Sequence, residues 1–317
     1  MARRIVVLGG TGFVGRAFLS RCAADNVAWH FRVPTRRAAR GSALRTMPNL
    51  ELLEADVHDP HVLARLVVDA DVVVNLIAIL HGTPAAFERV HVELPRRLGA
   101  ACHAAGAGRV IHVSALGVGP GAASDYLRSK AEGELALQAA RVPLTILRPS
   151  VIFGAEDRFL NLFARLQRVL PLLALPCATA KFQPVWVRDV AAALQRCVAD
   201  PQTIGRTYEI AGPQVYTLAE LVRLAGQRSG HARPVIGLPA PLGAAQAWLL
   251  EHLPGEPLMS RDNLRSMARP NVAGGALPGL TELGLPATPI QQAWAEDDAG
   301  GALDAELRRW RSQHRAR

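Results

Sequence analysis

The sequence is poor in lysine, and this shortage changes how its positive charge is interpreted. Only Lys130 and Lys181 are lysines among 36 basic residues, so the formal charge of +9 rests almost wholly on arginine. Arginine and alanine recur along the whole chain, which is as typical of a coding bias as of a binding surface. We therefore predict no nucleic-acid partner from the charge alone.

Metal-site and disulfide patterns are also lacking. The four cysteines (Cys22, Cys102, Cys177 and Cys197) are scattered, with no C-x-x-C pair. Such spacing predicts buried thiols in a reducing compartment rather than a disulfide framework. The ten histidines are dispersed, and His58 and His61 share a turn without further ligands nearby. We predict no metal site.

Long apolar runs are absent as well. No stretch of 18 apolar residues escapes charge, proline or glycine, so we predict no transmembrane helix. The N-terminal residues lead straight into an apolar strand and leave no room for a signal peptide. These features predict a cytoplasmic protein. Basic clusters at 32–45 and 308–317 are expected to be solvated; the alternative is peripheral contact with the inner membrane or an anionic partner.

The dominant feature present is a glycine-rich turn near the start of the chain. Apolar residues 5–8 predict a short buried strand, and 16–24 predict a helix packed on one face. Two glycine registers fit between them: Gly10, Gly12 and Gly15, or Gly9, Gly12 and Gly15. A turn of this kind brings backbone N–H groups and a helix N-terminus to a pyrophosphate. The sequence therefore predicts a dinucleotide site.

The next strand indicates which dinucleotide is bound. It is predicted over 27–33, and no acidic residue occurs between Trp29 and Leu50 to bind a ribose 2′-hydroxyl. Arg36 and Arg37 follow instead. Guanidinium groups match a 2′-phosphate, so NADP(H) is favoured over NAD(H). The alternative is that both arginines simply face water.

The remaining pattern alternates strands with helices. Strands are predicted over 50–55, 71–79, 109–114 and 144–147, and helices over 60–69, 87–105, 159–173, 189–198 and 243–253. This rhythm predicts an α/β, Rossmann-type doubly wound parallel sheet with helices on both faces. We assign 1–150 to a dinucleotide-binding domain, to which 182–212 returns. The segments 151–181 and 213–317 are assigned to a smaller C-terminal substrate or lid region.

A catalytic set is predicted at the end of one strand and on the helix that follows. Ser114 closes the strand at 109–114, and Tyr126 and Lys130 are four residues apart, which places them on one helical face. A nearby ammonium is expected to lower the pKa of the tyrosine and to bind the nicotinamide ribose, while the serine holds a carbonyl or alcohol. Chance placement on a surface helix is the alternative.

The motifs resemble those of the short-chain dehydrogenase/reductase superfamily in its extended or atypical branch. They are Gly9-x-x-Gly12-x-x-Gly15, Asp56, Asn75, Ser114, Tyr126-x-x-x-Lys130 and the segments 147–154, 184–191 and 208–213. Segments 33–37, 87–95, 182–187 and 261–264 are similar to the group around the NAD(P)H-binding alpha-subcomplex accessory subunit of mitochondrial complex I, whose bacterial relatives are free-standing. Related proteins of that group are linked to ubiquinone metabolism.

The resemblance implies catalytic roles for Ser114, Tyr126 and Lys130. It implies cofactor contacts for Gly9, Thr11, Gly12, Phe13, Val14, Gly15, Arg36, Arg37, Asp56, Val57, Asn75, Ala78, Lys130, Pro149, Val151 and Ile152. One departure is His91, which stands where extended members carry an asparagine and puts the usual proton relay in doubt.

Two functions remain open from the sequence. The first is an NADP(H)-dependent oxidoreductase acting on a carbonyl, an alcohol or a quinone-related small molecule. The second is a non-catalytic NADPH-binding accessory or assembly protein of a respiratory or quinone-biosynthetic complex. A redox-sensing regulator and a nucleotide-sugar epimerase or dehydratase are less favoured, because no recognition surface or nucleoside pocket is evident in the second half. The substrate and the oligomeric state are not encoded in any recognisable motif.

Overall fold

The computed structural model describes residues 3–25, 27–37, 39, 41, 44–45, 47, 49–252 and 259–299. The basic tail at 308–317 and part of the basic cluster at 32–45 lie outside the described residues. None of the helices in the described part is long and apolar enough to cross a membrane.

The described residues form thirteen strands. They are β1 (Arg3–Leu8), β2 (Trp29–Thr35), β3 (Leu50–Glu54), β4 (Val72–Asn75), β5 (Val110–Val113), β6 (Leu144–Pro149), β7 (Ile152–Phe153), β8 (Leu173–Pro176), β9 (Lys181–Phe182), β10 (Val185–Trp186), β11 (Thr207–Ile210), β12 (Tyr216–Thr217) and β13 (Val235–Leu238).

Helices connect most of these strands. They are α1 (Phe13–Ala24), α2 (Pro60–Val67), α3 (Pro84–Phe87), α4 (Leu94–Ala105), α5 (Asp125–Ala139), α6 (Leu160–Val169), α7 (Val187–Ala199), α8 (Leu218–Arg228), α9 (Ala240–Glu251) and α10 (Arg261–Ser266). A π-helical turn, Glu88–Glu93, joins α3 to α4, a 3₁₀ turn covers Pro201–Thr203, and residues 290–299 are helical.

Seven strands form one wholly parallel sheet in the order β11-β6-β5-β4-β1-β2-β3. Three two-stranded ladders, β7–β10, β8–β13 and β9–β12, lie outside it. Helices α1 and α7 pack together, and α2, α4 and α5 form a second packed group. The prediction of a doubly wound parallel sheet with helices on both faces is confirmed.

Alternation along the central strands explains the two layers. In β1, Ile5 and Val7 join the apolar core beneath α1 and α7, whereas Val6 and Leu8 join the core beneath α2 and α4. Strands buried on both faces need such continuous apolar sequence. A third core forms between elements of the second half, with Phe163 and Trp294 among its buried rings. The division of the chain at residue 150 stays a prediction.

The last strand of the sheet comes from far along the chain. β11 pairs with β6 and completes the edge that the first 150 residues leave open. Buried Arg109 stabilises this edge. Its guanidinium donates to the carbonyl of Asp200 at 3.0 Å and to the hydroxyls of Thr145 and Thr203 at 3.1 and 2.7 Å. The segment before β11 is therefore built into the sheet.

Several predicted boundaries shift. The first helix begins at Phe13 rather than residue 16, and the second strand runs two residues later than predicted. The strand predicted over 71–79 ends at Asn75. The helix predicted over 159–173 ends at Val169, because Pro171 disfavours helical backbone at the preceding residue and Leu173 pairs with β13 instead.

The helical segment predicted over 87–105 contains an unexpected π turn. Pro95 carries no N–H, so it cannot donate the normal helical hydrogen bond to the carbonyl of His91. That carbonyl faces Gly133 on α5, where a Cβ would lie 1.9 Å from the oxygen. Only glycine permits this approach, and it brings α5 close to the π turn.

We expect Gly133→Ala to destabilise the fold by about 2–3 kcal/mol, because the added methyl group meets backbone that cannot move aside cheaply. Gly119→Ala is the matched control, since an added Cβ there meets no atom within 4 Å. Thermal unfolding followed by circular dichroism measures both. Equal melting temperatures for the two variants would contradict the close approach.

Candidate active site

The glycine-rich turn leaves the N-terminus of α1 unobstructed. Gly9 has φ of +84°, which favours glycine, and its carbonyl accepts the N–H of Gly12 at 2.9 Å. Gly12 caps the helix and carries no side chain to cover the first N–H groups. A Cβ on Gly15 would lie 2.5 Å from the Cα of Gly10, and one on Gly10 would lie 2.7 Å from Val33. Both glycine registers are therefore structurally constrained.

The residues that line this turn also connect it to the rest of the chain. Phe13 and Val14, predicted as cofactor contacts, are half-buried against the third core. Arg16 donates to the carbonyl of Thr11 at 2.7 Å and pairs with Glu156. A turn of this shape, with free backbone donors and a helix dipole behind it, fits a pyrophosphate.

A positive region lies beyond the end of β2. Arg36 and Arg37 are exposed, and the Thr35 hydroxyl donates to the carbonyl of Arg37 at 3.2 Å. Burial lowers the pKa of His58, and the charges of Arg89 and Arg36 lower it further. Arg89, which the sequence did not single out, therefore adds to the same positive field.

The predicted contacts on the neighbouring strand ends differ in exposure. Asp56 is exposed and accepts the N–H of His58 at 3.0 Å, while Val57 is buried and Ala78 exposed. The amide of Asn75 is engaged at both ends, since it accepts the N–H of Ile77 at 3.2 Å and contacts the ring of His112. Asn75 thus fixes the end of β4. The cofactor contacts assigned to these residues stay predictions.

Helix α5 brings the predicted catalytic residues to the end of β5. Ser124 caps the helix by accepting the N–H of Leu127. Lys130 is buried, and its Nζ donates to the carbonyl of Val113 at 2.7 Å, directly before Ser114. The Ser114 hydroxyl is buried and has no hydrogen-bond partner within the described residues. Buried polar groups normally have a hydrogen-bond partner, so this hydroxyl is suited to bind a polar ligand.

The protonation of the tyrosine differs from the expectation. Burial raises the pKa of Tyr126 to about 12, so the predicted lowering by Lys130 is wrong for this state. Burial also lowers the pKa of Lys130 to about 8, partly offset by the charge of Glu134. The cause in both residues is loss of water, which disfavours each charged form. Tyr126 is a neutral phenol at neutral pH.

His91 holds Tyr126 from the π turn through a continuous hydrogen-bond chain. The N–H of Ile79 donates to His91 Nε2 at 3.1 Å, which leaves the ring proton on Nδ1 to donate to the Ser129 hydroxyl at 2.9 Å. Ser129 donates in turn to the carbonyl of Tyr126 at 2.9 Å. The His91 and Tyr126 rings also pack edge to face, with centroids 5.4 Å apart.

This chain explains the departure at His91. Burial, together with the charge of Lys130, lowers the pKa of His91 to about 3, so the ring is neutral. Both ring nitrogens are occupied within the chain. His91 therefore anchors the tyrosine helix and has no nitrogen free for a proton relay.

The C-terminal part of the described chain contributes two further residues: Asp262, within the segment 261–264 that carries the resemblance, and Asn271, which the sequence did not single out. Asp262 on α10 accepts the N–H groups of Asp125 and Tyr126 at 2.8 and 3.1 Å, so α10 closes over the start of α5. Asn271 accepts the N–H of Val151 at 3.0 Å and the hydroxyl of Ser150 at 2.6 Å. Asn271 lies outside every motif quoted from the sequence, so no sequence signal pointed to its contacts.

Asn271 bears directly on the cofactor contacts predicted for Pro149, Val151 and Ile152. Both backbone groups of Val151 are engaged within the chain, because its carbonyl accepts the N–H of Val185 at 3.0 Å. Pro149 ends β6 and is buried, and Ile152 begins β7 and is half-buried.

The described residues hold no group of His, Cys, Asp or Glu side chains suited to a metal ion. All four cysteines are free, and Cys177 is only half-buried, contrary to the prediction of four buried thiols.

The doubly wound sheet, the glycine turn and the Ser114–Tyr126–Lys130 set define a dinucleotide-binding protein. Residues 5–211 match the model of the NAD dependent epimerase/dehydratase family, and the chain belongs to that family. UDP-glucuronic acid 4-epimerase of Bacillus cereus, solved with UDP-glucuronic acid and NAD, has a similar fold, with a TM-score of 0.69 over 95% of this chain and 99% of that one at 19% identity.

Curated relatives are more similar in sequence. NADH dehydrogenase [ubiquinone] 1 alpha subcomplex subunit 9, mitochondrial, of Mus musculus is 35% identical over 293 residues, 90% of this chain and 77% of the relative. Ceramide reductase of Caulobacter vibrioides is 32% identical over 241 residues, 75% of this chain and 74% of the relative. The chain is thus similar both to subunits of a respiratory complex and to a reductase.

We expect His91→Asn to weaken the acid dependence of stability. The pKa of His91 lies below its ordinary value, so the unfolded state binds an extra proton between pH 6.5 and about 3, and stability falls as pH falls through this range. One proton corresponds to about 1.4 kcal/mol per pH unit. Chemical denaturation across this range measures the slope.

The slope of the unfolding free energy against pH should fall in His91→Asn by up to one proton. The contribution of His112, whose pKa burial also lowers, should remain. His103→Asn, on the same helical segment but exposed, is the control and should leave the slope unchanged. An unaltered slope in His91→Asn would show that the ring is not buried and neutral.

Proposed function

We propose that the protein is an NADP(H)-dependent reductase acting on a carbonyl or quinone-related small molecule. The observation that carries this proposal is the bond from Lys130 Nζ to the carbonyl of Val113, which sets the tyrosine helix beside the Ser114 hydroxyl, a group with no partner in the described part of the chain. Ser114 donates a hydrogen bond to the substrate oxygen, and the cofactor, when bound, supplies the hydride.

The state of Tyr126 favours reduction over oxidation. A phenol whose pKa is raised to about 12 keeps its proton at neutral pH and donates it to an oxygen that gains negative charge. The Lys130 ammonium lies at the same strand end, with donors left over for a ribose hydroxyl. Asp262 accepts the N–H of Tyr126, and His91 acts on the carbonyl of Tyr126 through Ser129.

The glycine turn and the arginines around β2 fit the cofactor. The turn and the N-terminus of α1 hold the pyrophosphate, and Arg36 and Arg37 hold the 2′-phosphate of NADP(H). Asp56 and Val57 lie at the adenine end. The name of one relative, ceramide reductase, supports reduction of a carbonyl compound.

The alternative is a non-catalytic NADPH-binding accessory or assembly protein of a complex I-like or quinone-biosynthetic complex, peripheral to the inner membrane. Two observations favour it. Relatives named as subunits of NADH dehydrogenase [ubiquinone] include one that is 35% identical over 90% of this chain. Asn271 already accepts the N–H of Val151, a residue that the resemblance assigns to the cofactor.

We expect Tyr126→Phe to abolish NADPH oxidation with quinones, ketones or a metabolite extract as acceptors, lowering the rate by at least about 100-fold because the proton donor is lost. Tyr216→Phe, on a strand of the second half, is the matched control and should retain turnover. Spectrophotometry at the NADPH band measures both. Tight NADPH binding without oxidation by the unaltered protein would favour the accessory function.

Substitution of both Arg36 and Arg37 by alanine should weaken NADPH binding by about 10-fold or more while NADH binding changes little, because only NADPH carries the 2′-phosphate. Isothermal titration gives both dissociation constants. Arg65→Ala and Arg141→Ala together remove the same charge from distant surface positions as a control. Equal losses for the two cofactors would contradict a 2′-phosphate site.

A further inference from the structure

Glu134 lies one helical turn beyond Lys130 on α5, and both residues are buried, at 3% and 2% exposure. Residues four apart on a helix lie on the same face with their Cβ atoms about 6 Å apart. Neither the family motif nor the proposed mechanism assigns a task to this carboxylate. Burial removes the carboxylate and the ammonium from water at a cost in free energy, so the arrangement requires an explanation.

Arg148 fixes the carboxylate in place. Its Nε donates to Glu134 Oε1 at 3.0 Å and its second guanidinium nitrogen to Oε2 at 2.5 Å, so the pair is bidentate. The two partners are unequally buried, with the Glu134 side chain 4% exposed and the Arg148 side chain 26% exposed. The negative member is therefore the one shielded from water and carried by the same helix as Lys130.

Stability alone gives little reason for such a pair. The cost of removing both charges from water offsets most of their attraction, so an apolar pair of similar volume stabilises a fold at least as well. A negative charge fixed near Lys130 has a separate effect, since it favours the ammonium over the neutral amine.

The other described groups around Lys130 do not supply a negative charge. Tyr126 on α5, His91 on the π turn and His112 on β5 are all neutral at neutral pH. The Val113 carbonyl contributes only a dipole. Glu209 on β11, on the far side of Arg148, accepts the N–H of Gly274 at 2.6 Å.

We propose that Glu134, held by Arg148, is a positioning residue that keeps the Lys130 ammonium charged in its buried site. This rests on the proposed function in so far as Lys130 is the catalytic lysine. The pKa of Lys130, at about 8, is already low enough that loss of a neighbouring negative charge would leave the amine largely neutral at physiological pH.

The two members of the pair act on Lys130 with opposite sign. Removal of the carboxylate in Glu134→Gln should lower the pKa of Lys130 by about one unit or more, the usual effect of a nearby opposite charge. Removal of the cation in Arg148→Gln should raise it, because the Glu134 charge is then no longer balanced. A pair with a merely structural role would loosen the site in both variants and move the pKa in one direction.

The scarcity of lysine makes the measurement direct. Protein labelled with ¹³C at the lysine ε-carbon gives signals from Lys130 and Lys181 alone, and Lys181→Arg assigns them. The pH titration of the Lys130 signal by NMR yields its pKa without cofactor or substrate. Exposed Lys181 serves as an internal reference.

Glu132→Gln is the matched control, because Glu132 is exposed on the same helix two residues away, and it should leave Lys130 unchanged. An unchanged pKa in Glu134→Gln, or shifts of the same sign in Glu134→Gln and Arg148→Gln, would overturn the inference. Should Glu134→Gln fail to fold, Arg148→Gln and the double variant decide the sign. The pKa of Lys130 should be higher in Arg148→Gln, and lower in the double variant, than in the unaltered protein.

The alkaline limb of NADPH oxidation gives a second readout. It should move to lower pH in Glu134→Gln and to higher pH in Arg148→Gln, in step with the NMR titration. Shifted titrations in a protein that never oxidises NADPH would support the charge pair and count against the proposed reductase. Normal turnover with an unmoved titration would count against the pair alone.

Discussion

The hydrogen bond from Lys130 to the carbonyl of Val113 ties the helix of the candidate site to the sheet. An ammonium has three donors and is costly to bury, so it persists only where acceptors are fixed around it. Here the strand end supplies one acceptor, and the π turn approaches α5 closely enough to exclude water because residue 133 is glycine. This packing positions Tyr126 and buries Ser114.

The surroundings of the site fix the tyrosine helix by hydrogen bonds and shift the pKa values of its buried groups. His91 is held as a neutral ring by two defined hydrogen bonds, and Asp262 binds two backbone N–H groups at the start of α5. His91 and Asp262 come from different parts of the chain, so two separate segments fix the tyrosine helix at its first turn. The low dielectric that results raises the pKa of the phenol and lowers that of the amine, which suits a proton donor.

The nucleotide half could be predicted from sequence because its signals are local. The glycine turn, the apolar strands and the Tyr126–Lys130 spacing each depend on neighbours within a few residues. The parts that failed depend on contacts between distant segments: the burial that raises the pKa of Tyr126, the capture of the Val151 N–H by Asn271 and the chain from Ile79 through His91. The end of the sixth helix was predicted four residues too late, since it is decided by the pairing of Leu173 with a strand much further along the chain.

The late arrival of β11 has a consequence for how the chain acquires its structure. During synthesis, the first 150 residues emerge with β6 as an exposed, unpaired edge and with Arg109 lacking two of its acceptors. The seven-stranded sheet is complete only once about 60 further residues have been synthesised, and until then its open edge can pair with other nascent chains. The sheet therefore depends on the second half of the chain in time as well as in space.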